Sequence, residues 1–316
     1  MQLRGMPMPG EFAIETDRLT GGYGIKMVVH ALGLRVPRGS VYGFLGPNGA
    51  GKTTAMRMLL GLLDPASGEV RLFGRPLRES LPGVLRRIGS LLEQPSVYEH
   101  LTGRENLEIV RRLKGLERRD AERAIEAMEI GDYEGGVVRE YSRGMRQRLG
   151  VAMAAMGNPE LLLLDEPING LDAGGLGVFR GLVRRLQDEY GTTVLVSSHQ
   201  LDELDLVATH IGILNATGDL VFQGTRQELS ERIPQQLVIE VDRREEAARV
   251  LAEGGHAVDS RRERFVIRGA TEELAREVNR LLVRNGIGVH RLAIELATLE
   301  SLFVKMTGAL KGVASH

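Results

Sequence analysis

The run Gly46-Pro47-Asn48-Gly49-Ala50-Gly51-Lys52-Thr53-Thr54 follows the pattern G-x-x-x-x-G-K-[ST]. Its glycines let successive backbone N–H groups converge on phosphate oxygens, and a following helix adds positive potential. Lys52 is then expected to reach the β- and γ-phosphates, and the Thr53 hydroxyl to ligate Mg²⁺. Further along, Leu161-Leu162-Leu163-Leu164 ends in Asp165-Glu166. The first carboxylate suits the shell of the ion. The second can accept a proton from an attacking water. A glycine turn before a helix and an acidic turn after a core strand are the plainer readings. Finding both motifs in this order favours phosphate chemistry.

The elements that must hold these groups are legible in the hydropathy. SVYGFLG is a short apolar run that ends in glycines, and KTTAMRMLLGLL behind it has helical spacing, so strand, loop and helix are expected. ELLLLDEP and TTVLVSSH are nearly continuous apolar runs, as strands buried on both faces require. GVFRGLVRRLQDEYG between them has a helical period, giving strand–helix–strand units and an α/β core. Residues 97–157 are charged and periodic and are expected to be a helical insertion.

From residue 235 the pattern resets. QLVIEV, EEAARVLAEGG, HAVDS, RFVIRG, TEELAREVNRLLVRNG and GVHRLAI read as βαββαβ, a ferredoxin-like module. Thr271 is its expected N-cap, with Leu274, Val278, Leu281 and Leu282 on one helix face. A last helix, ATLESLFVKMTG, follows.

Composition excludes several classes. Basic and acidic residues number 41 and 42, a net charge of −1, so a generally nucleic-acid-coating chain is ruled out and no nucleic-acid partner is expected. Cysteine is absent, which removes disulfides, thiolate metal sites and cysteine nucleophiles. No apolar stretch is long enough to span a bilayer. Residues 1–12 lack the apolar region of a secretory signal and read as a disordered leader.

With these residues in hand, the chain resembles the ATP-binding subunits of ABC transporters over about residues 13–226. The resemblance implies a P-loop NTPase core of the ABC ATPase type at 13–230, with the helical subdomain at 97–157 and the ferredoxin-like C-terminal domain at 235–316. It implies ATP and Mg²⁺ as cofactors, a second ATP-binding subunit (the same or a related chain) and an integral membrane permease as partners. The place implied is the inner face of the cell membrane, peripheral through the permease.

The resemblance also carries site residues. Tyr23 stands where such subunits stack an aromatic ring on adenine; a turn tyrosine is its plainer reading. Tyr141-Ser142-Arg143-Gly144-Met145 occupies the signature position, usually LSGGQ. Ser142 and Gly144 retain the phosphate-contacting places, while Tyr141, Arg143 and Met145 depart from the family. Ser142 is expected to cap the helix that follows and to face the γ-phosphate held by the opposite subunit. Asn169-Gly170-Leu171-Asp172 matches the D-loop, and His199 matches the switch histidine. The other histidines lack comparable context.

The Q-loop position aligns with Glu93, and Gln94 one residue later is the alternative. A glutamate there resembles bacterial drug and peptide exporters of the bacitracin and lantibiotic self-protection type. Val137-Val138-Arg139-Glu140 replaces the TEVGxxG-like segment of exporters with fused membrane spans, which fits a separate permease. The resemblance therefore implies ATP hydrolysis that drives dimer closure and export of a drug, peptide or lipid-like substrate. A non-transport ATPase, or a regulator with a degenerate signature because of Arg143 and Glu93, is the alternative. For the C-terminal domain the readings are regulation or dimer contact. Two copies could meet by strand pairing at a free edge, or by docking through Leu302, Phe303 and Met306. Arg261, Arg262 and Arg264 read as a solvated hairpin turn.

Overall fold

The computed structural model describes residues 11–200, 207–261 and 264–308. They divide into two compact units, one of the described residues up to 226 together with 306–308, the other of those between 227 and 305. The first ten residues of the expected leader lie outside the described ones. Its last residue does not: Phe12 already opens a strand and pairs with Pro37.

The first unit contains two sheets. An antiparallel one holds β1 (Phe12–Tyr23), β2 (Lys26–Leu32), β3 (Arg35–Pro37), β5 (Ser67–Leu72) and β6 (Arg75–Pro76). The other is built around β4 (Val41–Leu45), β7 (Ile88–Leu91), β8 (Leu161–Asp165) and β9 (Thr193–Ser198). These four run parallel, in the order β4-β9-β8-β7. All residues of β4, β8 and β9 are buried, which explains their unbroken apolar runs. Beyond β4 the sheet continues into β10 (His210–Leu214) and β11 (Leu220–Thr225). The sequence reading missed this hairpin because Asn215, Thr217 and Asp219 bond locally into a turn and interrupt the alternation.

Helices α1 (Lys52–Leu59), α2 (Leu77–Ser80) and α6 (Ala173–Tyr190) flank or connect these strands. Met56, Met58 and Leu59 of α1 share one core with Leu161, Leu163 and Leu195 of the parallel sheet and with the antiparallel sheet. The segment expected to be helical carries α3 (Gly103–Lys114), α4 (Arg118–Ala127) and α5 (Arg143–Ala155). Thr102 and Glu105 close a capping box at the start of α3, and left-handed Gly115 ends it.

The second unit starts with α7 (Arg226–Glu231, shared with the first at its opening residue). It continues as β12 (Gln235–Val241), α8 (Arg244–Glu253), β13 (Asp259–Arg261), β14 (Arg264–Arg268), α9 (Glu272–Arg284) and β15 (Val289–Leu296). Every strand pair is antiparallel, in the order β13-β14-β12-β15, as a ferredoxin-like module requires. Leu237, Ile239, Phe265 and Ile267 face Ala247, Leu251, Val278 and Leu282 in its core. Thr271 caps α9 by accepting a bond from Leu274 N–H at 3.1 Å.

A last helix, α10 (Leu299–Thr307), follows. Leu302 and Phe303 are 6% and 7% exposed, so they are not the open docking surface the sequence suggested. Apolar helix faces invite either reading, and only packing separates them. Of the arginine cluster, Arg262 lies outside the described residues, and Arg264 pairs with Glu240 at 2.9 Å.

Candidate functional site

The carboxyl ends of β4, β9 and β8 lie side by side, with Leu45 opposite Ser198 and Ser197 opposite Asp165. Ligand sites in parallel α/β sheets form at such ends. The chain leaves β4 through Gly46, whose N–H bonds Ser198 C=O at 3.3 Å, and enters the glycine loop. Gly51 has φ +94°, and a Cβ there would lie 2.9 Å from Val29 Cγ2 and 3.0 Å from Val28 C=O, so only glycine fits. It precedes α1 with no side-chain cap, which leaves the first N–H groups of that helix available to an anion. Asn48 and Gly49 form the exposed crest of the loop, Pro47 is half-buried, and Ala50 and Thr54 are buried beneath it.

Lys52 is 6% exposed and folds back over the loop. Its Nζ donates to Gly46 C=O at 2.7 Å and Pro47 C=O at 3.3 Å, and lies 3.4 Å from Glu166 Oε1. Burial pulls its pKa below the usual lysine range, and the neighbouring Glu166 and Asp165 carboxylates oppose that pull. Thr53 Oγ1 donates to Asp165 Oδ2 at 2.5 Å. The other oxygen of Asp165 accepts from the buried hydroxyl of Ser197, which itself accepts from Glu166 N–H at 2.9 Å. Ser197 was not singled out from the sequence. Its signal was a hydroxyl inside an otherwise apolar strand.

Glu166 adopts φ +48°, the left-handed region, and so turns its side chain out of the strand direction. Its Oε2 accepts from His199 Nδ1 at 2.9 Å, and Asn169 Nδ2 is 3.4 Å away. A carboxylate only accepts, so this bond places the imidazole proton on Nδ1. Nε2 is then the acceptor for Gln200 Nε2 at 3.1 Å. Neither Asn169's contact nor Gln200 was foreseen as part of this network. Thr53, Asp165, Glu166 and Asn169 line a cleft of about 560 Å³ together with Glu93, Gln94, Pro95, Tyr141, Arg143, Arg146 and Gln147.

Tyr23, at the end of β1, is 48% exposed. Arg57 of α1 lies 5.8 Å from its ring centroid, donates to its hydroxyl at 2.5 Å and pairs with Glu93 Oε1 at 2.5 Å. Glu93 has φ +59° and points its carboxylate to Arg57 rather than to Thr53 and Asp165. Gln94 faces the same cleft, so both Q-loop candidates reach it. Arg57 was missed because one arginine on a helix has no signature by itself.

Ser142 caps α5, accepting from Met145 N–H at 3.2 Å, and is exposed. Tyr141, where the family has leucine, is an anchor. Its hydroxyl donates to Tyr133 C=O at 2.6 Å, and its ring meets Tyr133 edge-on at 5.2 Å. Burial pushes the Tyr133 hydroxyl up to about 12. Arg143 lies over the D-loop, 3.0 Å from where a Cβ on Gly170 would stand. Asp172 caps α6, accepting from Gly175 N–H at 2.8 Å. That bond, with Arg148 beside it, holds its carboxyl below the usual aspartate range. Ser142, Gly144 and Asp172 are not among the residues lining the Glu166 cleft.

Residues 29–169 match the ABC transporter family. Over 305 residues the chain is 40% identical to the bacitracin transport ATP-binding protein BcrA of Enterococcus faecalis, covering 94% of this chain and 97% of that protein. The chain belongs to the ABC transporter ATP-binding proteins. A second such protein, the daunorubicin/doxorubicin resistance ATP-binding protein DrrA of Streptomyces peucetius, is 36% identical over 307 residues, covering 94% of this chain and 92% of that one. A solved structure of the ATP-binding subunit of an ABC transporter superposes with a TM-score of 0.64 at 26% identity, over 70% of this chain and 92% of that one. As an ABC ATP-binding protein, the chain binds and hydrolyses ATP, dimerises and works with a membrane permease. Among its described residues, no helix is long and apolar enough to cross a membrane.

Proposed function

We propose that this ABC ATP-binding protein powers export of an antibiotic-like substrate through a separately encoded permease, on the cytoplasmic side of the membrane. The observation that carries the catalytic part is the Glu166 carboxylate. It stands at the end of β8, bonded to His199 and close to Lys52, beside the Thr53–Asp165 pair. The glycine loop, residues 46–54, and the open N-terminus of α1 receive the triphosphate. Lys52 then leaves its carbonyl partners for phosphate oxygens, and Tyr23 offers an exposed ring face to adenine.

The Thr53 hydroxyl and the Asp165 carboxylate are hard oxygen donors, the set Mg²⁺ takes, with Glu93 or Gln94 of the same cleft as a further oxygen. Such an ion neutralises charge on the triphosphate. Glu166 accepts the proton of the attacking water while His199 holds the geometry.

Ser142, Gly144 and Asp172 lie outside this cleft, at exposed helix starts. They act on the ATP of the second subunit, so that two nucleotides lie between two head-to-tail subunits. Hydrolysis and phosphate release reopen the pair and reset the permease. Export rather than import, and the substrate class, rest on the relatives named for bacitracin transport and daunorubicin resistance.

Phosphate release by the purified chain tests the assignment. Lys52→Ala is expected to lose ATP binding. Glu166→Gln is expected to bind ATP, dimerise on it and turn over about 10²–10⁴-fold more slowly. Near-normal turnover by Glu166→Gln would remove the carboxylate from the mechanism.

A further inference from the structure

Among the described residues, the sheet of the second unit ends on an open edge. β15 is hydrogen-bonded to β12 on one side and is the terminal strand of the order β13-β14-β12-β15. It is eight residues long and free of proline, and none of its residues is fully buried. Ile294 and Leu296 are 37% and 63% exposed. Unpaired N–H and C=O groups along such an edge template another strand; the one irregularity in the pairing with β12 lies at His290, so Arg291–Leu296 runs in unbroken register.

The direction of those groups follows from one bond. Ala297 N–H donates to Pro234 C=O at 2.9 Å, so Ala297 faces the β12 side. Alternation then turns the polar groups of Glu295, Ala293 and Arg291 towards β12 and those of Leu292, Ile294 and Leu296 outwards.

We propose that this edge joins a second copy of the same chain, β15 against β15, antiparallel about a two-fold axis at Ala293. In that register Leu292 lies opposite Ile294 of the second copy, and the reverse. Both residues turn their backbone groups outwards, so each pair exchanges two hydrogen bonds. Ala293 meets its own mate in a non-hydrogen-bonded pair. Arg291 meets Glu295 of the second copy in the other such pair, where side chains approach most closely. Opposite charges directly across strands stabilise an antiparallel pair, and like charges oppose it. A centre at Arg291 or at Glu295 sets like charges against each other. Centres at Leu292 or Ile294 leave Arg291 and Glu295 without each other. The Ala293 register alone unites the charge pairing with the outward backbone, and it covers the exposed side of Ile294. Within one chain Arg291 and Glu295 are already 2.6 Å apart, so the assembled edge carries two such pairs side by side.

The contact needs no nucleotide, which separates it from ATP-driven closure of the first unit. The chain has no cysteine, so a single introduced thiol reports its own mate. Non-hydrogen-bonded partners have Cα atoms about 4.5 Å apart, within disulfide reach.

In nucleotide-free full-length protein, Ala293→Cys is expected to form a disulfide-linked dimer under mild oxidation. Leu296→Cys, although more exposed, sits several residues from its mate and is expected to link at least about tenfold more slowly. Light scattering of the unsubstituted chain is expected to give twice the monomer mass, and Ile294→Asp to return it to the monomer with ATP binding retained. A monomer mass across micromolar concentrations without nucleotide overturns the proposal, as does linking at residue 296 that is as fast as at 293. Dimer mass that appears only with ATP also overturns it, while leaving the ATPase assignment standing.

Discussion

Glu166 and Lys52 define the resting chemistry at the level of single residues. Glu166 accepts a left-handed backbone, which costs a non-glycine residue about 1–2 kcal/mol, and so brings one carboxylate within reach of both His199 and Lys52. Ser197 offsets part of that cost by holding Asp165 and the Glu166 N–H together. Lys52 is in the opposite position: it is buried against carbonyl oxygens, with its pKa pulled down. Its folded-state pKa lies below its unfolded value, so the buried cation costs stability below the folded pKa. That cost is relieved as pH rises from the folded towards the unfolded pKa. A triphosphate restores a strong anionic partner and raises the pKa again. ATP binding on the alkaline side is therefore expected to take up a proton. Calorimetry in two buffers of different ionisation heat reads that uptake, and Lys52→Arg, which stays protonated, is expected to abolish it. Equal heats in both buffers for the wild-type chain would show that Lys52 does not titrate on binding.

At the scale of elements, helix starts do most of the recognition. The N-terminus of α1 is left without a side-chain cap, whereas α5 and α6 are capped by Ser142 and Asp172. A cap and a phosphate ligand are different duties, and variants separate them. Ser142→Ala is expected to lower stability by about 0.5–2 kcal/mol and to lose turnover. Ser142→Asp keeps the cap, so its stability in urea is expected to match the wild type. Its charge repels phosphate, so turnover is still lost. Normal turnover by Ser142→Asp would leave Ser142 with capping alone. The signature's departures sort themselves at the same scale. Tyr141 is bound into the Tyr133 loop, and a Cβ on Gly103 would stand 2.4 Å from its hydroxyl, so the tyrosine is matched to a glycine at the start of α3. Arg143 reaches the D-loop at Gly170, tying the two motifs together beside the Glu166 cleft, which Tyr141, Arg143 and Asn169 help to line.

For the molecule as a whole, the chain's order and its packing divide differently. Residues 227–305 form the second unit, yet Met306, Thr307 and Gly308 group with the first. Thr307 is 1% exposed, and its C=O accepts from Ala216 N–H at 3.1 Å within that first unit. A simple truncation of residues 235–316 therefore removes this bond and the buried Thr307 from the ATPase unit; Ala216 is exposed, so water takes over its N–H and the bond itself is worth about 0.5–1.5 kcal/mol. Replacing 227–305 by a flexible linker, with Met306 and Thr307 kept, is expected to preserve more stability in urea than the truncation does. Equal unfolding midpoints for the two shortened chains would show that the terminal segment contributes nothing to the first unit.

The sequence by itself determined the α/β class, the glycine loop between β4 and α1, the acidic end of β8, the capped start of α5 and the βαββαβ order of the second unit. These depend on local chemistry: glycine conformations, side-chain periodicity and cap residues act within a few positions. It did not determine that Ser197 joins Asp165 to Glu166, that Arg57 links Tyr23 to Glu93, or that Leu302 and Phe303 are buried. It also did not reveal the β10–β11 hairpin. Each of these is a pairing or packing between residues remote in sequence or hidden by turn bonds, and no spacing rule encodes it. Which edge of the second sheet stays open, and which way its backbone groups point, follows from strand order and register, so only the tertiary structure could decide it.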